Sequence, residues 1–118
     1  MKLFGTRTHG FLDYFMGIFL IASPFMFDLT SDSPQGVVFI MLGLFTLLYS
    51  AITRYELGLI SILPMKVHLF LDFISGFFLA ASPWLFNFDT IVFMPHMVIG
   101  IIEMGIALTT RFQPKMQF

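Results

Sequence analysis

The chain has 118 residues, 58% of them hydrophobic and only 11% charged, with a formal net charge of −1. A soluble domain carries about 25% charged residues to wet its surface, so this composition, with mean hydropathy +0.91, points to lipid as the solvent. The near-zero net charge leaves no electrostatic footprint for nucleic acid, and the lack of cysteine excludes disulfides and thiolate-held metals.

A transmembrane helix needs roughly 20 mostly apolar residues, and four windows meet that length: about 8–27, 34–54, 67–87 and 92–111. The first follows Lys2 and Arg7 and ends near Ala22-Ser23, the outline of a secretory signal peptide. The same segment recurs deep in the chain, where no signal can lie, so a retained helix is expected. The second window opens on Ser33-Pro34, an N-cap followed by proline at the first helical position. Between it and the third, Leu57 to Leu63 is apolar but too short to span, and is expected to lie along the membrane interface. The fourth window contains Pro95, tolerable only in the first turn, and Glu103.

Charge orients these spans. Lys2, Arg7, Arg54, Lys66, Arg111 and Lys115 all fall on one side, whereas the opposite loops carry Asp28, Asp32 and Asp89. The positive-inside rule therefore predicts that both termini are cytoplasmic.

The chain also repeats itself. Residues 9–27 and 68–86 are identical at 11 of 19 positions at a constant offset of 59. The matches include His9 and His68, Asp13 and Asp72, Gly17 and Gly76, and the Ser23-Pro24 and Ser82-Pro83 pairs. At an offset of 57, Gly43 aligns with Gly100 and Thr53 with Thr110. Each unit, about 7–55 and 66–112, crosses twice, so both copies enter from the same side and are parallel repeats. The expected fold is an all-α membrane four-helix bundle in one domain, with pseudo-two-fold symmetry about the membrane normal.

Periodicity shows which faces meet. His9, Asp13, Gly17, Leu20, Pro24 and Phe27 fall within about 80° of helical arc, and each has an identical counterpart in the second copy. Gly43, Thr46, Ser50 and Thr53 form a stripe on the second helix, matched by Gly100, Glu103, Ala107 and Thr110 on the fourth. Small and hydroxyl residues of this kind line packed membrane helices. Pro24 and Pro83 each free the carbonyl four residues earlier, Leu20 or Leu79, for the adjacent serine hydroxyl or a neighbouring helix to satisfy. The expectation is a kinked helix end with Trp84 anchored at the interface.

Ala81-Ser82-Pro83-Trp84 and its variant Ala22-Ser23-Pro24-Phe25, in a duplicated two-helix unit with an upstream His-x-x-x-Asp, resemble the SPW-repeat family of small bacterial membrane proteins. The resemblance implies the fold and an integral position in the bacterial cytoplasmic membrane, but no activity and no catalytic residues.

Intramembrane ionisable groups are functional candidates by default. By distance from their basic flanks, Asp13, Asp72 and Glu103 should share one level, about 9–12 Å inside the cytoplasmic boundary, with His9 and His68 one turn below the aspartates on the same faces. Three readings of this cluster compete. In a structural, accessory or oligomeric module, each His bonds the Asp one turn above it, helped by Arg7 or Arg54. Alternatively the cluster binds or moves protons or cations, with Glu103 as the acid that breaks the symmetry. A third reading has His9 and His68 ligating a metal or clamping a haem, although no cofactor is predicted as resident. His96 reads as a solvated helix-end residue. No nucleophile elbow, phosphate loop or zinc-protease motif suggests an enzyme. The bilayer is the expected partner, and a homo-oligomer or larger membrane complex is compatible.

Overall fold

In the computed structural model, which describes residues 4–29 and 32–110, the chain folds as four helices: α1 (Thr6–Met26), α2 (Pro34–Ala51), α3 (Met65–Leu85) and α4 (Met94–Leu108). Lys2, Arg111 and Lys115, used above to orient the spans, lie outside the described residues. The all-α bundle contains two tightly packed pairs, α1 with α2 and α3 with α4. The three helices α1, α2 and α3 are long and apolar enough to cross a membrane.

The fourth element is shorter than its predicted window. At 15 residues, α4 is about 22 Å long, because Phe93 is non-helical, Pro95 sits in the first turn and the helix stops before Thr109. The second helix likewise ends at Ala51 rather than 54, where the chain turns into a backbone bridge between Thr53 and Leu63.

Each tight pair is closed by a glycine crossing. A Cβ placed on Gly43 would lie 2.6 Å from the Gly17 carbonyl oxygen, and one on Gly76 would lie 2.7 Å from the Gly100 carbonyl oxygen. Only hydrogen allows these backbones to approach so closely. The equivalent pairs confirm that the repeats pack alike. Phenylalanine, leucine, isoleucine and methionine side chains such as Phe11, Phe15, Ile18, Met41 and Phe70 cover the outside of the bundle, the surface lipid would meet.

The Ser-Pro segments act as helix terminators. Ser82 Oγ donates to the Leu79 carbonyl that Pro83 leaves free, at 2.7 Å. In the first copy Ser23 Oγ turns instead to the Phe19 carbonyl, at 2.8 Å, so the serine serves the freed carbonyl at Leu79 but not at Leu20. Two residues past each helix end, Asp28 and Asn87 adopt the left-handed conformation, with φ of 58° and 59°. The next amides, Leu29 N and Phe88 N, donate back to the Pro24 and Pro83 carbonyls. This is a Schellman stop, in which the residue after the left-handed one folds inward. Phe88 is thereby buried with Leu20, Val38, Phe39, Leu79 and Ile99 in an apolar core at this end of the bundle. Phe27 and Phe86, expected on the inward face, lie in the turns and are partly exposed, while Trp84 is half exposed beside Phe93.

At the opposite end the repeats are stitched crosswise. Leu63 N donates to Ile52 O at 2.8 Å, and Phe4 N donates to Thr109 O at 2.9 Å, the equivalent bond. The start of α3 is thus held to the end of α2, and the start of α1 to the end of α4. The 52–64 loop folds back under this end. Tyr14 donates to the Leu57 carbonyl at 2.9 Å, Thr6 donates to Glu56 at 2.7 Å, and Tyr55 and Leu57 crowd against Gly10. Burial raises the Tyr55 phenol pKa above its ordinary value, so it packs as a neutral ring. Leu59, Ile60 and Ile62 remain exposed.

Candidate functional site

The two repeats bring His9, Asp13, His68 and Asp72 to one buried point between α1 and α3. Both imidazoles are fully buried and both aspartates nearly so. The predicted bond from each His to the Asp one turn above it is the weaker contact. His9 Nε2 lies 2.5 Å from Asp72 Oδ2 but 3.2 Å from Asp13 Oδ2, and His68 Nε2 lies 2.7 Å from Asp13 Oδ2 but 3.3 Å from Asp72 Oδ2. The strong bonds therefore cross from one repeat to the other. Across the symmetry axis, each imidazole thus lies nearer to the carboxylate of the other repeat than to the one on its own helix. Arg7 and Arg54, expected to assist, are exposed, and among the described residues neither forms an ion pair with the cluster.

The outer nitrogen of each ring is also fixed. Thr110 Oγ1 lies 2.8 Å from His9 Nδ1, and Thr53 Oγ1 lies 2.8 Å from His68 Nδ1. Each threonine spends its single proton on the carbonyl one turn back, Ile106 at 2.7 Å and Tyr49 at 2.5 Å. A hydroxyl whose proton is committed can only accept, so both Nδ1 atoms carry hydrogen and both Nε2 atoms face the carboxylates. One proton then sits in each short Nε2–Oδ2 contact. Two aspartates with two such protons and two neutral rings make a tetrad of zero net charge.

One donor atom from each of the four residues lies within 4.8 Å of all the others, so this buried His/Asp cluster can hold a cation. A zinc-like ion takes such ligands at about 2.0–2.2 Å, which places them about 3.3 Å apart in a tetrahedron. Of the four His–Asp edges, two, at 3.2 and 3.3 Å, already stand at that spacing, and two, at 2.5 and 2.7 Å, would open by less than 1 Å. A porphyrin does not fit. The His9 and His68 rings lie 5.4 Å apart, edge to face at 76°, and the adjoining pocket has a volume of about 10 Å³, room for one water.

With the duplicated cluster and the paired Ser-Pro turns in place, the comparison with known families is decisive: the SPW repeat domain matches residues 7–110. The chain belongs to the SPW repeat family. No curated protein and no solved structure matches it.

In this SPW repeat protein the predicted acid Glu103 does share the level of the aspartates. It lines the small pocket with Leu12, Asp13, Met16, Asp72 and Ile106, and its Oε1 is buried without a hydrogen-bond partner. Its counterpart in the first repeat, Thr46, is buried too. His96 is not solvated as expected. It is fully buried, stacks on Phe39 at 4.1 Å and donates from Nε2 to the Gln35 backbone carbonyl at 2.9 Å. It is remote from the tetrad in the apolar half. Ser23, Pro24, Ser82 and Pro83 are buried at helix ends and touch no part of the tetrad.

Three site residues escaped sequence reasoning. Thr53 and Thr110 were visible as an aligned pair, but as helix-contact residues rather than imidazole anchors. Tyr49 donates its hydroxyl to Asp72 Oδ1; its only signal was that Ile106 stands at the matching position.

Proposed function

We propose that this protein is a compact four-pass module of the bacterial cytoplasmic membrane, one domain with repeat units at about 7–55 and 66–112, whose centre binds a divalent transition metal ion. The one-sided distribution of the basic residues Lys2, Arg7, Arg54, Lys66, Arg111 and Lys115 supports cytoplasmic termini. The observation that carries the reading is the convergence of four donors whose rings are already anchored from behind. Metal-ligating histidines hold their second nitrogen on an acceptor in this way, and ligating carboxylates are themselves hydrogen-bonded, as Asp72 is by Tyr49. Mixed imidazole and carboxylate donors suit borderline ions such as Zn²⁺, Co²⁺ or Ni²⁺. One divalent ion between two carboxylates preserves the zero net charge that the membrane interior demands.

A structural clasp is the second reading, favoured by the two crossing bonds, which close the tetrad with protons alone. A conducting path finds no support in the other half of the bundle, where Leu20, Phe39, Leu79 and Phe88 pack together as a buried apolar core.

The test is metal analysis of the detergent-purified protein after exposure to Zn²⁺ or Co²⁺ and removal of free ion. One ion per chain is expected, with none retained by the D13N/D72N double variant. Wild-type protein that retains no more metal than the double variant, while both remain folded, leaves the clasp as the reading.

A further inference from the structure

The two repeats match around the tetrad except at one level. Where α2 presents Thr46 and Tyr49, α4 presents Glu103 and Ile106 at the equivalent positions. The Tyr49 hydroxyl reaches Asp72 and seals the tetrad on the α2 side. Isoleucine has no hydroxyl, so nothing equivalent reaches Asp13, and a water-sized pocket lies there instead, lined by Asp13, Asp72, Glu103 and Ile106. Glu103 is only 8% exposed, yet its Oε1 has no partner within the bundle. The helices differ in the same sense: α2 and α3 pack along their seam, whereas α1 and α4 meet more sparsely. The pocket therefore opens on the looser seam.

A buried carboxyl facing a water-sized space asks for a hydrogen-bond donor in that space. Metal sites whose fourth or fifth position is taken by water are the ones that exchange ions or admit substrate, while fully protein-ligated sites are structural. We propose that Glu103 is a positioning residue for the tetrad: it accepts a hydrogen bond from a water in this pocket, and that water fills the open coordination position of a divalent ion held by His9, Asp13, His68 and Asp72. The inference deepens the metal reading and rests on it. It makes the α1–α4 side the access face and the α2–α3 side, sealed by Tyr49, the closed face.

The experiment uses Co²⁺ as probe, because its visible absorption distinguishes four-coordinate from five-coordinate sites. Purified wild type and the variants Glu103→Leu, Glu103→Gln and Ile106→Tyr are titrated with Co²⁺, and loaded samples are chased with a chelator. Glu103→Leu is expected to weaken binding by about tenfold or more and to shift the spectrum toward four-coordinate Co²⁺. Glu103→Gln keeps an acceptor in place and should retain most of the wild-type affinity and spectrum. Ile106→Tyr, which fills the pocket with a phenol as Tyr49 does opposite, should reproduce the spectral change with Glu103 intact, and it carries the test if Glu103→Leu fails to fold. Identical spectra and affinities in wild type, Glu103→Leu and Ile106→Tyr overturn the proposal and leave the metal reading standing. Absence of Co²⁺ binding by wild type overturns both.

Discussion

Phe39 and His96 occupy equivalent positions in the two repeats and stack on each other, with ring centroids 4.1 Å apart at 28°. Equivalent residues in contact must flank the symmetry axis, so this stack marks the axis at the apolar end as the His9–His68 contact marks it at the polar end. The imidazole here behaves as an aromatic plate, with Phe88 on another side at 4.9 Å and Nδ1 buried without a partner. Replacing it by phenylalanine restores the symmetry and removes that orphan nitrogen. We expect H96F to lie within about 1 kcal/mol of wild type, whereas H96A, which opens a cavity, should cost about 3 kcal/mol. Unfolding by SDS in mixed micelles measures both.

The crossing of the tetrad is testable by double-mutant cycles. His9 and Asp72 should couple by about 1–3 kcal/mol, and His9 and Asp13 by markedly less. The i,i+4 spacing alone predicts the reverse order. Substituting a single member, as in D72N, should cost about 3–5 kcal/mol, because its partner is left buried and uncompensated.

Thr53 and Thr110 should matter for a reason their size does not reveal. T53V and T110V keep the shape but remove the only acceptor for an imidazole Nδ1 hydrogen, a loss of about 1–3 kcal/mol each. If the tetrad holds metal, each change should also weaken Zn²⁺ binding by about tenfold or more, read by competition with a fluorescent chelator.

Glycine substitutions separate close approach from open surface. G43A drives a methyl onto the Gly17 carbonyl and should cost about 1–3 kcal/mol. A Cβ on Gly105, in the last turn of α4, meets nothing within 4 Å, so G105A should be neutral or stabilise by up to about 1 kcal/mol. At the left-handed Asn87, N87A should lose about 1–2 kcal/mol, while N87G should not.

How far the sequence reveals this structure depends on what kind of information each feature carries. The four helices, their inward faces and the Ser-Pro helix ends were legible because duplication displays them twice: a position identical in both copies, such as Asp13 and Asp72, is one the shared geometry uses. Bond partners were not legible. Spacing along α1 sets His9 beside Asp13, but the choice of Asp72 depends on how near α3 comes, a property of packing between helices. The roles of Thr53 and Thr110 were hidden for the same reason, since both sit just past a helix end whose curl brings the hydroxyl under a ring of the neighbouring helix. His96 was misjudged because Pro95 suggested a wet helix terminus, whereas a proline in the first turn leaves the following residue free to enter the core. The short α4 follows from the same proline and from the turn at Thr109.

Each hairpin carries half of everything at the centre, since each histidine finds both its nearer carboxylate and its threonine on the other half. Two separate identical hairpins could assemble such a centre, but any change in one would appear in both. Joining them in a single polypeptide removes that constraint: Tyr49 can stand on one flank and Glu103 on the other, and a mirror-balanced core acquires a front and a back.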